Sequence, residues 1–302
     1  MMISVVIPVF NSEKSLAELY LRLMNTLSHC SDDWEIIMVD DASLDKSYDQ
    51  MQSLHSQDAR VKIIRMAVNA GQHQATLCGM NYSQGDYIIT IDDDLQHPPE
   101  EIPALLTRIQ MGYDVVFGIP QQKQHKLYRN LGSMVVDKVI NLIYPDSHGI
   151  KRSSFRILTA DLVKHMVSSA LPPVYMAALI LQNAKKTDHV EVRHDSRKYG
   201  KSNYCLKKSL AMIRILLIQY SYLPLQYMSV CWKAAFIFTI MLFIFINMAA
   251  ETAIMSFILN IYLLIIAGLC IISSWIVKEY LQRLARDSNE TEIPYTIDDI
   301  EF

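Results

Sequence analysis

Apolar and polar positions follow two periods along the first two-thirds of the chain. Short β-branched runs, "ISVVIPVF" (3–10), "WEIIMVDD" (34–41), "VKIIRM" (61–66), "DYIITIDDD" (86–94) and "DVVFGI" (114–119), read as strands buried on both faces. Between the first two, Leu16, Leu19, Tyr20, Leu23 and Leu27 recur at helical spacing. Alternating strands and helices predict an α/β domain over 1–205 with a mainly parallel, doubly covered sheet.

The pattern changes after residue 205. Residues 206–229 mix apolar residues with Lys207, Lys208 and Arg214, as in basic helices that lie in the headgroup layer, and Pro224 should divide the stretch in two. Residues 234–250 and 253–277 carry no charge. The second is long enough to span a roughly 30 Å hydrocarbon core, and the first can do so if Lys233 snorkels. Only Glu251 and Thr252 part them, which predicts two transmembrane helices over 231–278 in a tight hairpin. Lys233 on one flank, with Lys278, Arg283 and Arg286 on the other, places both ends on the cytoplasmic side.

Charge sharpens this picture. The net charge is −3 and the pI about 6.3, which argues against a nucleic-acid binder. Arg193–Arg214 holds seven Lys/Arg and one acid, Asp195, whereas Asp287 to the end holds six acids and no Lys or Arg. A basic surface facing something anionic is expected at the former, and a solvated cytoplasmic tail over 279–302. The five cysteines lack metal-site spacing and fit a reducing compartment. The apolar N-terminus lacks a positive n-region and reads as a strand.

In parallel sheets ligands bind beyond the carboxyl ends of the strands. Here those ends carry Asn11, then Asp40 and Asp41, then Asp92, Asp93 and Asp94. Five carboxylates on one rim suggest a divalent cation and a polar ligand. Carboxylates with the amide oxygen of Gln96 are hard donors suited to Mg²⁺ or Mn²⁺. Strand alternation would aim Asp92 and Asp94 to one side and Asp93 to the other. No GxxxxGK[ST] or GxGxxG loop is present.

"VVIPVFNSE" (5–13), "IIMVDDAS" (36–43), "NAGQHQATLCGM" (69–80), "IDDDLQHPPEEIP" (91–103), "GYDVVFG" (112–118) and "RKYGKSNY" (197–204) together resemble the polyprenyl-phosphate glycosyltransferases, from about residue 3 to about 285. The resemblance implies an inverting enzyme of GT-A fold that moves a sugar from a nucleotide diphosphate, UDP-linked by expectation, to undecaprenyl or another polyprenyl phosphate for cell-envelope glycan modification. It implies that Pro8, Phe10, Asn11, Glu13, Asp40, Asp41 and Asp92 border the nucleotide sugar, and that Asp92, Asp94 and Gln96 hold the metal. Arg129, Ser133, Arg197 and Lys201 would grip the acceptor phosphate, with Asp94, Arg129 and Arg197 central to catalysis. The setting implied is the inner membrane with the catalytic domain on its cytoplasmic face. A homo-oligomer and a downstream flippase are compatible partners.

Two departures stand out. Pro120 lies at or beside the place of an arginine usual in the family, and Ser154 stands where an acid often precedes Phe-Arg. A phosphate acceptor needs no general base, so Ser154 is tolerable. The alternatives are transfer to a lipid-linked sugar hydroxyl and a catalytically silent, membrane-anchored binding subunit.

Overall fold

The computed structural model describes residues 1–121, 127–145, 151–170, 174–196, 198, 206–248, 253–288 and 295–302. It divides into two compact units, Met1–Leu210 with Ile293–Phe302, and Ala211–Glu292.

The first unit is built on an eight-stranded sheet. All five strands expected from the periodicity are present: β1 (Met2–Val9), β2 (Asp33–Asp40), β3 (Val61–Met66), β4 (Tyr87–Thr90) and β5 (Val115–Pro120). Three more were not foreseen: β6 (Arg156–Thr159), β7 (Thr187–Val192) and β8 (Ile297–Glu301). The order is β7-β5-β6-β4-β1-β2-β3-β8, with β6 and β8 antiparallel to their neighbours and the other pairs parallel. The chain runs from β1 out to β3 and then returns to the other side of β1 with β4. That reversal opens a crevice at the carboxyl ends of β1 and β4, where such sheets bind ligands. Val9 pairs with Asp40, and Val6 with Thr90, so these strand ends share one edge.

Alternation along β1 sends Ile3, Val5, Ile7 and Val9 into one core with helices α1 (Leu16–Cys30), α2 (Ser47–Gln57) and α4 (Ile102–Ile109). Each such side chain, fully buried, contributes roughly 1.5–3 kcal/mol. The opposite face, with Val6 and Val39, lies under α3 (Gln72–Asn81), which neighbours α6 (Ala160–Ser169) and, through it, α7 (Met176–Asn183). A Cβ on Gly79 would stand 2.5 Å from the Val6 Cγ1, so only glycine lets α3 lie this close to the sheet. This contact fixes the helix whose first turn reaches the site.

The C-terminal residues depart from the solvated tail expected over 279–302. Helix α10 (Ala253–Ser288) runs through its start, and β8 adds to the free edge of β3 with Ile64 opposite Ile300. The Tyr48 hydroxyl donates to Asp299 Oδ2 at 2.7 Å, and Gln52 donates to Glu301 at 3.2 Å. An uncovered β3 would present unpaired backbone groups, which β8 satisfies.

In the second unit, α8 (Leu206–Gln219) stops before α9 (Leu223–Met248), which pairs with α10. The expected break is there: Pro224 falls in the first turn of α9, where its missing N–H leaves no bond unmade. Trp232 Nε1 donates to Ser273 Oγ at 2.8 Å, and Tyr280 donates to the Leu217 carbonyl at 3.1 Å. Among the described residues one segment, Leu223–Met241, is long and apolar enough to cross a membrane, and none of it is buried within the protein. The expected turn at 249–252 lies outside the described residues.

Candidate active site

The loops after β1 and β2 are fastened to each other at the crevice. Asn11 Oδ1 accepts from the Leu44 amide at 2.8 Å, and Glu13 Oε2 accepts from the Lys46 amide at 3.2 Å. In return the Ser12 amide donates to Ser47 Oγ at 2.7 Å. Asn11 and Ala42 both adopt left-handed backbone, with φ of 53° and 54°. Asparagine tolerates this, whereas at alanine it costs about 1–2 kcal/mol. Phe10 is left exposed beside this hinge, free to meet a ring.

The two aspartates after β2 behave differently from each other. Asp40 is fully buried; Oδ1 accepts from the Ser43 amide and Oδ2 faces Arg65 Nε at 3.6 Å. Asp41 directs both carboxylate oxygens at the start of α3, accepting from the amides of Ala70 and Gly71 at 2.7 and 2.9 Å. Gly71 has φ of 91°, a backbone that presents its N–H to the carboxylate at little cost. Burial pushes the Asp41 carboxyl above its usual range, and the two amide bonds work against that rise. Asp41 therefore organises the start of α3.

The aspartate triplet is not on a strand. β4 ends at Thr90, and Asp92–Asp94 form a turn closed by Leu95, whose φ of 61° carries its side chain into the core. The expected strand alternation is thereby replaced by a turn in which the three carboxylates take separate hydrogen-bond partners. Asp92 Oδ1 accepts from Gln72, and Oδ2 accepts from Ser154 Oγ at 2.6 Å. Asp93 Oδ2 accepts from the Phe10 amide at 3.1 Å, tying the turn to the β1 loop. Burial, with help from its two acidic neighbours, pushes the Asp93 carboxyl up to about 7. Asp94 Oδ1 accepts from the Gln96 amide at 3.1 Å, and the residue is partly exposed. Gln96 in turn accepts from the Asp195 amide at 2.8 Å, which brings the end of the β7 loop to the turn.

Beside Asp92 lies a cavity of about 180 Å³ lined by Pro8, Gln72, His73, Thr76, Thr90, Arg152–Ser154, Arg156, Tyr175 and Ala177. Arg156 is 5% exposed and donates through Nε to Thr90 Oγ1 at 3.1 Å. Arg152 pairs with Asp137 at 3.1 Å and donates to Asn141 at 3.2 Å, both on α5 (Leu127–Ile143). Burial, then the charge of Arg156, pushes the His73 ring down to about 4, so it is neutral at pH 7. The side chains of Arg129 and Ser133, on α5, lie outside the described residues, as do Arg197 and Lys201.

Residues 4–164 match glycosyl transferase family 2. The chain is 31% identical over 292 residues to the undecaprenyl-phosphate 4-deoxy-4-formamido-L-arabinose transferase of Photorhabdus laumondii, covering 94% of this chain and 90% of that protein. The chain belongs to glycosyl transferase family 2. The protein of the same description from Pseudomonas aeruginosa is 31% identical over 95% of this glycosyltransferase and 86% of its own length. The fold is that of glucosyl-3-phosphoglycerate synthase from Mycobacterium tuberculosis, solved with Mn²⁺, uridine diphosphate and phosphoglyceric acid. That match has a TM-score of 0.55 at 17% identity over 72% of this chain and 76% of that one. It gives the glycosyltransferase a GT-A-like α/β fold, as expected.

The donors at the aspartate turn suit a hard divalent ion. Among the described residues no three His, Cys, Asp or Glu side chains converge. Mg²⁺ commonly takes one or two carboxylates and completes its shell with substrate phosphates and water, and the Asp92–Asp94 pair with Gln96 fits that arrangement. The cavity is also lined by residues that linear spacing did not indicate, Gln72, His73, Arg152, Arg156 and Tyr175. The one sequence signal was an arginine, Arg156, inside the apolar stretch "FRIL".

Proposed function

We propose that this glycosyltransferase moves a sugar from a nucleotide diphosphate, UDP-linked, to undecaprenyl or another polyprenyl phosphate with inversion. The observation that carries the reading is the match to undecaprenyl-phosphate transferases over 94% of the chain. Ser154 supports it from the site: it stands against Asp92 as a hydroxyl, where a sugar-hydroxyl acceptor would call for a base. A phosphate monoester, with a second pKa of about 6, is already mostly dianionic at pH 7.

In the reaction, an acceptor phosphate oxygen forms the bond to the anomeric carbon from the face opposite the leaving group. The old bond's electron pair departs on the diphosphate, so a nucleoside diphosphate is released. Pro8, Phe10, Asn11, Glu13, Asp40, Asp41 and Asp92 border the nucleotide sugar, and Asp41 also holds the start of α3 in place. A divalent cation, Mg²⁺ or Mn²⁺, held by Asp92, Asp94 and Gln96 would supply charge neutralisation to the leaving diphosphate. Arg129, Ser133, Arg197 and Lys201 offset the acceptor's charge. The apolar Leu223–Met241 segment, with Lys233 ahead of residues 234–250 and Lys278 after residues 253–277, supports a multi-pass inner-membrane enzyme with its catalytic unit on the cytoplasmic face.

The test is mass spectrometry of products from purified full chain given undecaprenyl phosphate and a panel of nucleotide sugars. A lipid phosphate heavier by one sugar is expected. A product extended at a lipid-linked sugar hydroxyl, or no transfer with any donor, refutes the reading.

A further inference from the structure

We propose that the cavity beside Asp92 is an anion subsite in which Arg156 receives the phosphate head of the lipid acceptor. The inference rests on the functional reading above and extends it to a residue and a space to which that reading assigns no role.

Arg156 is a buried guanidinium, 5% exposed, that the charge of Asp92 offsets without a direct ion pair. Its hydrogen bond among the described residues is from Nε to Thr90 Oγ1. A buried guanidinium needs its remaining donors satisfied as well as its charge offset. Among the described residues no acceptor is recorded for either terminal NH₂ group, and Arg156 lines the cavity. A guanidinium offers paired donors that match two oxygens of one phosphate. Although burial lowers its pKa to about 10, it stays charged at pH 7.

The surroundings agree with an anion. Asp92 is the one acidic residue of the lining, and its two oxygens accept from Gln72 and Ser154. Hydroxyls of Ser153, Thr76 and Tyr175 line the same space, and His73 adds no second charge because its ring is neutral. Size then separates acceptor from donor. At about 180 Å³ the cavity is smaller than the roughly 300–1,000 Å³ pockets that enclose drug-sized ligands. A space of this size suits a phosphate head group better than a whole nucleotide. Its position next to Asp92 sets this anion beside the carboxylate expected to serve the leaving diphosphate, as displacement at one carbon requires.

Two variants of the detergent-solubilised full chain test the proposal. Arg156→Lys keeps the charge and loses the fork, and Ala177→Leu fills the cavity without touching any charge. Calorimetric binding of farnesyl phosphate, inorganic phosphate, UDP and a UDP-sugar is measured for each, with thermal midpoints checking the fold. Both variants are expected to weaken farnesyl phosphate roughly ten- to a hundred-fold and leave UDP unchanged. Unchanged farnesyl phosphate binding in Arg156→Lys overturns the proposal. So does a loss confined to the UDP-sugar, which would make the space a donor-sugar pocket. Inorganic phosphate binding as tightly as farnesyl phosphate, with the same dependence on Arg156, also overturns it in favour of a free-phosphate site. If Arg156 governs farnesyl phosphate binding but the wild type transfers no sugar, the subsite stands and the transferase reading falls.

Discussion

Ser154 donates a 2.6 Å hydrogen bond to Asp92 Oδ2, joining the segment before β6 to the aspartate turn after β4. The Ser154 carbonyl also accepts from Thr90 Oγ1 at 2.5 Å, so the serine is held at both ends. An aspartate here would set a second carboxylate against Asp92, and like charges at this distance resist joint ionisation. Ser154→Asp should therefore lower transfer by at least tenfold. Ser154→Ala, which removes a bond to a charged acceptor worth roughly 1.5–3 kcal/mol, should give a smaller or equal loss. Initial rates of the two variants decide it: a fully active Ser154→Asp contradicts the argument.

Asp94 sits in the turn after β4, accepts from the Gln96 amide and is partly exposed. Asp94→Ala should abolish transfer with little change in thermal midpoint. Excess EDTA should do the same to the wild type, and Mg²⁺ or Mn²⁺ should restore it. Full activity in either case sinks the metal-dependent mechanism.

Asp41 differs, because its carboxylate holds two α3 amides in a buried setting. Asp41→Ala leaves both donors unmet, at about 1–3 kcal/mol each. The urea midpoint should fall clearly, in contrast to Asp94→Ala. A midpoint equal to the wild type would mean that α3 is held by other contacts.

His73 gives the protein an acid-sensitive element. Its folded pKa of about 4 lies below the usual 6.5, first through burial and then through Arg156. Between those values the unfolded chain binds a proton that the folded chain refuses, so stability is full above about pH 6.5 and declines as pH falls toward 4. His97, also lowered to about 4, acts in the same direction. His73→Gln should make the urea midpoint fall less between about pH 7 and pH 5. An identical fall in variant and wild type would show that His73 is not its source.

The sequence made the centre of the sheet legible and its margins obscure. β1 to β5 are runs buried on both faces, and such runs declare themselves locally. β6 has four residues, β7 reads "TDHVEV" along a half-exposed edge, and β8 is an acidic stretch whose partner lies more than two hundred residues away. At the site, the rim residues were visible because strand ends can be counted. Their geometry was not: a left-handed Leu95 turned the triplet out of the strand, and Asp41 spent its charge on α3. The cavity was the least visible feature, since nothing in linear spacing joins Gln72, Asp92, Ser154 and Arg156.

The pairing of β8 with β3 fixes a parity. The chain leaves the catalytic unit near residue 210 and rejoins it by 293, and both halves share one sheet. A sheet cannot straddle a bilayer, so whatever the intervening segment does, it must exit and return on the same side. Crossings of the membrane are therefore even in number. If Leu223–Met241 is one traverse, α10 is the segment left to supply the return, whatever the charges flanking either helix.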